Sequence, residues 1–342
     1  MKGRVLCLDQ IDGRPAAALL VDGRLEELTI DPEGDEAIPG AIYRAIADRP
    51  MKGLGGMFVK LPFGRGFLRQ TGGIAPGGRV LVQVSGPTEP GKATPVTTRL
   101  LFKSRFAIIT PGAPGLNISR RIRDEALRDE LQALAEEGMA GADEMMGLIL
   151  RSACEEAEPE AVAEDIAAMR GLAEAILKDL DGGPELLLDG PSAHDLAWRD
   201  WLDPAPDEVA EEGSFEDHAV TDEIESLLAT RVDLGEGHMM IEPTRALVAV
   251  DVNTGSDTSP AAALKVNVAA ARELPRQLRL RGLGGQVVID FAPMPKRERH
   301  ILDQVMKAAF KGDGETNLAG WTTLGLFELT RRRDRLALRD LL

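Results

Sequence analysis

Three residues can do chemistry as a group. Asp251 and Asn253 close the run ALVAVDVNTG (246–255), and Asp290 closes GGQVVIDF (284–291). Each aspartate follows a run of apolar, β-rich residues, Ala246 to Val250 and Gln286 to Ile289. Short apolar runs bounded by turn residues predict buried strands. A carboxylate at a strand exit sits on a rigid scaffold beside low-dielectric surroundings. Two of them on neighbouring strands repel each other unless a cation lies between. Oxygen ligands select a hard divalent ion, Mg²⁺ foremost, which makes Asp251 and Asp290 the candidate metal ligands. Residues two apart in an extended strand share a face, so Asn253 converges with Asp251. Its amide can orient a scissile phosphate or an attacking water without adding charge. The chemistry predicted is metal-assisted hydrolysis at a phosphate. Strand-end aspartates also occur as plain structural features, and the residues by themselves leave both readings open.

The flanking sequence says how the pair is positioned. Ser259-Pro260 is a helix-start signal, and a helix is predicted from about Pro260 to Arg281, ending at Gly282 and Gly284-Gly285. Pro275 falls inside it and is expected to kink or shorten it. A second helix is predicted from near Pro295, carrying Lys296, Arg297, Arg299, Lys307 and Lys311. A final strand is predicted over 322–329, followed by the basic run TRRRDR. Strand–helix–strand connections of this length favour parallel neighbours. Asp251 and Asp290 then emerge at one sheet edge, where α/β folds place ligands. Lys265, Arg276, Arg279 and Arg281 are the cations expected to neutralise flanking phosphates.

The formal charge of −16 argues against a polyanionic partner, but its distribution argues the other way. Residues 40–122 hold 13 Lys+Arg against 2 Asp+Glu, a net of +11. Residues 123–225 hold 6 against 31 (−25), and residues 226–342 hold 17 against 14 (+3). A basic segment gives a polyanion a local track whatever the total sign; the plainer reading is solvated surface of uneven charge.

Residues 1–30 alternate apolar with polar or small residues around DGR turns at 12–14 and 22–24, and predict a small hairpin or meander. Residues 40–102 contain glycine-broken apolar runs (GGMFVKL, GRGFLRQ, GGRVLVQVSG, VTTRLLF) and predict a small barrel. Arg44, Lys52, Lys60, Arg65 and Arg69 interleave there with Phe63 and Phe67, a pattern suited to single-stranded nucleic acid. Phe58 and Phe67 read equally as barrel core. Two helices are predicted at 123–137 and 158–177, with a strand-like run between them ending at Arg151 and Ser152. Residues 185–202 read as strand, turn and helix capped by Ser192. The acidic, proline-containing stretch 203–217 reads as a linker. Only Cys7 and Cys154 are present, so no disulfide framework or zinc clip is implied. The four histidines lack ligand spacing. With no leader-like segment and no membrane-length apolar run, the chain reads as cytoplasmic.

IEPTRALVAVDVNTG (241–255), ALKVNVAAARELPRQLRLRGLGGQVVIDF (263–291) and LGLFELTRRR (324–333) resemble the catalytic region of the ribonuclease E/G family of endoribonucleases. The RQLRLRGLGG…IDF string is long and specific. Weaker likeness covers the rest: IYR (42–44), RGFL (65–68), GKATPVTTRL (91–100), ISRRI (118–122), MGLILRSA (146–153) and ESLLATRV (225–232). The resemblance implies a composite α/β (α+β) fold. Residues 1–38 with 178–222 would form a ribonuclease H-like part, and 39–102 a shortened OB-fold RNA-binding domain. Residues 103–177 would form a 5′-sensor domain, and 223–342 a deoxyribonuclease I-like catalytic domain. It implies Asp251 and Asp290 as Mg²⁺ ligands with Asn253 in support, Arg151 and Ser152 on an RNA 5′-monophosphate, and Phe67 and Lys92 on RNA near the cleavage position. The family commonly has threonine where Ser152 stands and aspartate where Pro293 stands. Its two-cysteine zinc link and long tail have no counterpart before Leu342, so the expectation is a short form without zinc, any homo-oligomer not being zinc-linked. A non-catalytic RNA-binding protein that keeps the fold, and a nuclease acting on DNA, are the rival readings.

Overall fold

The computed structural model describes residues 2–34, 37–51, 55–89, 91–313 and 316–342; Lys52, one of the cations predicted to interleave with aromatics, lies outside them. The chain divides into two compact units, Met1–Asp22 with Thr29–Glu211, and Gly23–Leu28 with Glu212–Leu342.

The first unit begins with a hairpin of β1 (Arg4–Ile11) and β2 (Arg14–Val21). Asp12 (φ 51°) and Gly13 (φ 75°) take the left-handed conformations that a two-residue hairpin turn demands, which is the physical meaning of the DG pair. β3 (Arg24–Ile30) starts in the segment that belongs to the second unit. Next come β4 (Ile42–Pro50), β5 (Met57–Leu61), β6 (Gly64–Leu68), β7 (Arg79–Val84) and β8 (Thr94–Thr97). They run in the order β4-β5-β6-β8-β7, and β7 pairs back onto β4, closing a five-stranded OB-like barrel. Tyr43, Met57, Val59, Leu68, Val82 and Val96 fill it.

A second layer follows: β9 (Phe102–Lys103), β10 (Ala107–Pro111), β11 (Leu116–Ile118), α1 (Glu125–Gly138), β12 (Met146–Leu150) and α2 (Pro159–Lys178). The sheet order is β11-β12-β10-β9, and the helices bury Leu131, Ala135, Val162 and Ile166 in one core with Ile109, Leu148 and Leu150. Cys154 belongs to this core; burial pushes its thiol up to about 11, and it donates to the Phe106 carbonyl. β13 (Glu185–Leu188) pairs with β4. α3 (Ala193–Asp200) starts at Ser192, which forms a reciprocal cap with Asp195 as its sequence predicts. Ala197 of α3, with Trp201 and Leu202 just beyond it, packs against Leu6, Leu8, Ala17 and Leu19 of the hairpin.

The stretch 203–217, read as a linker, holds the boundary between the two units at Glu211 and Glu212, and it also carries regular structure. β14 (Glu208–Ala210) adds in parallel to β1, and α4 (Ser214–Asp217) follows. Asp207 ties the register: its amide donates to the Arg4 carbonyl, and its carboxylate accepts the Arg4 amide at 2.7 Å. One is a backbone bond and one a side-chain bond, and acidic composition reveals neither.

The second unit contains α4, α5 (Val220–Leu228), β15 (Arg231–Asp233), β16 (Gly237–Pro243), β17 (Val248–Thr254), α6 (Pro260–Leu280), β18 (Gly285–Asp290), α7 (Arg299–Ala309), β19 (Thr316–Trp321), β20 (Phe327–Arg331) and α8 (Leu338–Leu341). One sheet runs β15-β16-β17-β18-β20-β19. Only β17 and β18 are parallel, joined by α6 as the spacing predicts. α6 and α7 bury Ala263, Val266, Leu274, Leu302 and Met306 against Met239, Ile241, Val250, Val287 and Ile289. The alternate strand residues Asp251, Gln286, Asp290, Glu328 and Thr330 are exposed.

Two expectations fail here. α6 runs through Pro275 without a break. The buried neighbours Leu274 and Leu278 hold that turn in the core, so packing outweighs the lost backbone bond. The predicted final strand is a hairpin, β19–β20, with its turn at Thr322–Leu326. The glycines after α6 are steric requirements. Gly282 (φ +63°) ends the helix, and a Cβ there would lie 2.0 Å from the Leu336 carbonyl oxygen; one at Gly284 would lie 2.6 Å from that of Arg332. The TRRRDR run is largely structural: Arg331 is buried on Asp313 and the Leu283 carbonyl, and Arg335 holds Glu27 and the Leu28 carbonyl. No described helix is long and apolar enough to cross a membrane.

Candidate active site and nucleic-acid interface

Because β17 and β18 run parallel, their carboxyl ends coincide. Asp251 stands directly opposite Asp290 in the register, on strands about 4.8 Å apart. Both side chains are exposed, on the sheet face that α6 and α7 leave uncovered. Asn253 shares that face, and its Nδ2 donates to Asp251 Oδ2 at 2.8 Å. One amide hydrogen and the amide oxygen remain for a substrate or water.

Among the described residues no third His, Cys, Asp or Glu joins the two aspartates as a metal cluster. A pair of carboxylates nevertheless fits Mg²⁺, which keeps several waters and takes its other ligands from substrate phosphate. The thiols are no part of it, since Cys7 is buried on β1 and Cys154 in the core beneath α1 and α2.

Two residues near this pair escaped the sequence reading. Asn267, on α6, is fully buried. Its Oδ1 accepts the Ala292 amide and its Nδ2 donates to the Ala292 carbonyl, both at 2.9 Å. This double bond pins the backbone two residues beyond Asp290. The signal was an asparagine on the apolar face of KVNVAAA, where an amide survives only with both partners satisfied. His238 on β16 stands opposite Asn253; opposed residues of an antiparallel pair share a face. No spacing along the chain reveals that pairing.

The cations predicted to flank the site separate into two groups. Lys265 lies in the second turn of α6 and forms an ion pair with Glu236, both ends largely solvent-exposed. Such a pair is worth at most about 1 kcal/mol, so the ammonium is free to exchange partners. Arg279 lies fourteen residues further on, about 21 Å along the helix axis. It is held by Glu26 and Glu27 at 3.0 Å each. Arg276 donates to the Leu25 carbonyl and pairs with Glu273 and Glu223. Arg281 is buried on Gln277 and the Ala229 carbonyl. The rise of α6 therefore removes these three arginines from the aspartates and assigns them to anchoring Gly23–Leu28 and the helix end.

On the barrel, Phe67 stands opposite Phe58, and Lys60 opposite Arg65. Core positions Met57, Val59, Gly66 and Leu68 alternate with them and are buried, whereas Phe58 and Phe67 are half-exposed. The two phenylalanines thus lie outside the barrel core. Their rings meet edge to face at 5.8 Å, and the Arg65 guanidinium lies 5.9 Å from the Phe58 ring. Lys92 is exposed and pairs with Glu89 at 2.6 Å. Arg44, by contrast, is buried and clamped by Asp179 and Glu185.

Arg151 and Ser152 follow β12, and both already make hydrogen bonds within the chain. Arg151 Nη1 donates to the Ser104 (2.7 Å) and Arg199 (3.2 Å) carbonyls, and Nη2 to Asp200 Oδ1 (2.5 Å). Ser152 Oγ donates to Asp203 Oδ2 at 2.7 Å. Arg121 Nη1 reaches Ser152 Oγ at 3.3 Å and Asp203 at 3.4 Å. Burial pushes the Asp200 carboxyl up, but hydrogen bonds from Arg199 and Arg151 outweigh it and hold it below the usual carboxylate range.

The sequence that builds this geometry has relatives among known proteins. The chain is 30% identical to ribonuclease E of Nostoc sp. over 93% of its own length and 54% of that protein. It is 26% identical to ribonuclease G of Salmonella typhimurium over 93% of this chain and 77% of the relative. With ribonuclease G of Escherichia coli it shares 25% identity over 95% and 79% of the two lengths. The chain thus spans about half of the ribonuclease E and over three quarters of the ribonucleases G. A sequence model of the Ribonuclease E/G family matches residues 102–214 and 206–334, which include Arg151, Asp251, Asn253 and Asp290. Covering well over half the residues, that match makes the chain a member of the Ribonuclease E/G family.

Proposed function

We propose that this chain is an endoribonuclease that hydrolyses single-stranded RNA in the presence of Mg²⁺, leaving 5′-phosphate and 3′-hydroxyl ends, in cytoplasmic RNA processing or decay. The observation that carries the reading is the register pair Asp251–Asp290 on adjacent parallel strands, with the Asn253 amide bonded to Asp251. Asp251 and Asp290 would hold the Mg²⁺, which supplies charge neutralisation and an activated water at a scissile phosphate. Asn253, its amide oriented by Asp251, donates its remaining hydrogen to a phosphate oxygen or the attacking water. Lys265 neutralises a flanking phosphate by exchanging it for Glu236.

The proposal extends to the rest of the chain. Phe67, with Phe58, offers stacking surface to unpaired bases, and Lys60, Arg65 and Lys92 follow the backbone. Arg151 and Ser152 bind a 5′-monophosphate. Residues 1–38 with 178–222 are read as a ribonuclease H-like part, 39–102 as an OB-fold, 103–177 as a 5′ sensor, and 223–342 as a deoxyribonuclease I-like catalytic domain. The family's names and the closed barrel support the reading.

The test is cleavage of a short fluorescent RNA with Mg²⁺ or EDTA by the wild type, Asp251→Asn and Asp290→Asn. Each substitution is expected to lower the rate by at least about 10²-fold, the scale for losing one key electrostatic group. Unchanged cleavage by either folded variant overturns the assignment. Absence of Mg²⁺-dependent cleavage by the wild type favours a non-catalytic RNA-binding protein, a reading motivated by Pro293. Competition with a DNA oligonucleotide separates RNA from DNA as substrate.

A further inference from the structure

We propose that Asp200 and Asp203 set the 5′-end specificity of this chain by occupying the donors of Arg151 and Ser152 as internal stand-ins for phosphate. The inference rests on the reading of Arg151 and Ser152 as a 5′-phosphate site and adds what regulates it.

Arg121, Arg151 and Ser152 present guanidinium and hydroxyl donors that take a carboxylate or a phosphate with the same geometry. Here each of the three residues already meets a carboxylate: Asp200 on Arg151 Nη2 at 2.5 Å, and Asp203 on Ser152 at 2.7 Å and Arg121 at 3.4 Å. Asp200 ends α3, where the helix dipole disfavours a negative charge. It stays ionised because Arg199 joins Arg151 on it, with Nη2 at 2.8 Å. Three arginines (Arg121, Arg151 and Arg199) therefore face two carboxylates, which cancel all but one of the positive charges. A phosphate dianion entering without displacing them would meet like charge at close range. The 5′ end must push the 200–203 segment off its donors, and that competition lowers the apparent affinity by the fraction of time the donors are open. Asp203, about one-third exposed, is the movable member. Asp200 is tied to the Arg151 that also takes the α3 carbonyl of Arg199.

The competition has a direction that a purely structural clamp lacks. Removing the carboxylate charge should strengthen discrimination by the 5′ end, while removing a donor should abolish it. The experiment uses one RNA sequence with either a 5′-monophosphate or a 5′-hydroxyl. The kcat/KM ratio is measured for the full chain as wild type, Asp203→Asn, Asp200→Asn with Asp203→Asn, and Ser152→Ala. Anisotropy of the same two RNAs on an Asp290→Asn background reads binding without cleavage, and thermal melts confirm folding. The expected result is a small monophosphate preference in the wild type, rising about ten-fold in the double variant. A smaller rise is expected in the isosteric Asp203→Asn, whose folding the thermal melt checks, and a fall in Ser152→Ala. A strong wild-type preference that Asp203→Asn and the double variant leave unchanged or weaken overturns the proposal and leaves the sensor standing. Equal treatment of both RNAs by every folded protein removes the sensor reading, and the proposal with it.

Discussion

Replacing Asn267 tests the link between the α6 core and the position of Asp290. The side chain is fully buried and makes two hydrogen bonds with Ala292, itself 3% exposed, and a weak one to Met294 Sδ. Asn267→Ala removes them and leaves the buried N–H and C=O of Ala292 without partners. Each such group costs about 1–3 kcal/mol. Water entering the vacated space recovers part of that, so the expected loss is about 2–4 kcal/mol, a large share of a typical domain's stability. Asn267→Asp keeps the volume and separates the two bonds. A carboxylate still accepts the Ala292 amide but opposes its carbonyl. Burial and that oxygen raise the folded-state pKa of the introduced acid above its unfolded value. The protonated acid restores the missing donor, so stability is highest below the unfolded pKa and is lost as pH rises through the folded one. Urea unfolding at several pH values, with hydrogen exchange of the Ala292 amide as the local probe, reads both effects. Cleavage should fall in parallel, because the backbone beyond Asp290 is released. A loss below about 1 kcal/mol in Asn267→Ala, or an Asn267→Asp variant with no pH dependence of its own, refutes the idea that this amide pins the site.

Two further outcomes follow from other contacts. Phe67→Ala should weaken binding of single-stranded RNA by about 1–3 kcal/mol, the worth of one stacked base, with kcat for bound substrate little changed; fluorescence titration with a catalytically inert background checks it. Glu273→Gln should cost about 1–3 kcal/mol at pH 7, through weakened bonds from Gln277 and Arg276. Burial pushes the Glu273 carboxyl up, but those partners and Arg24 hold it below its ordinary 4.5. Its contribution is therefore complete above 4.5 and lost as pH falls through the lower folded value. The gap between wild type and variant in urea melts must shrink towards low pH.

What the sequence disclosed was whatever depends on local periodicity. The strands ending at Asp251 and Asp290, the helix between them, the Ser192 cap and the glycine-broken barrel all carry short-range signals, and the structure has them. What it concealed depends on partners far along the chain. The Phe58–Phe67 pair is decided by alternation against Met57 and Leu68, which places both rings outside the core; composition alone left that open. Arg279 looked like a phosphate ligand because it is basic and near Asp290 in sequence. Helix rise carries it away, and Glu26 and Glu27 claim it. The run 203–217 does hold the boundary between the two units, but its proline and acid content hid a backbone register with β1. Pro275 misled for a related reason, since a helix packed on a sheet tolerates a lost bond that an isolated one does not.

Charge was the least transparent property. A total of −16 suggests a chain that repels RNA. At physiological salt, exposed charges are screened over about 8 Å, so local groups decide whether a phosphate is accepted. Part of the acidity of 123–225 is consumed locally: Asp179 and Glu185 neutralise Arg44, and Asp200 and Asp203 neutralise Arg151 and Arg121. The barrel face instead sets Lys60 and Arg65 beside two half-exposed rings. At the aspartate pair the local charge is negative, which is hostile to phosphate; on the proposed function a divalent cation held there would reverse that. On the proposed function, the negative site, the stacking surface and the carboxylate-filled donors would impose different conditions on an RNA: metal at the first, unpaired bases at the second, and an anion able to displace Asp203 at the third.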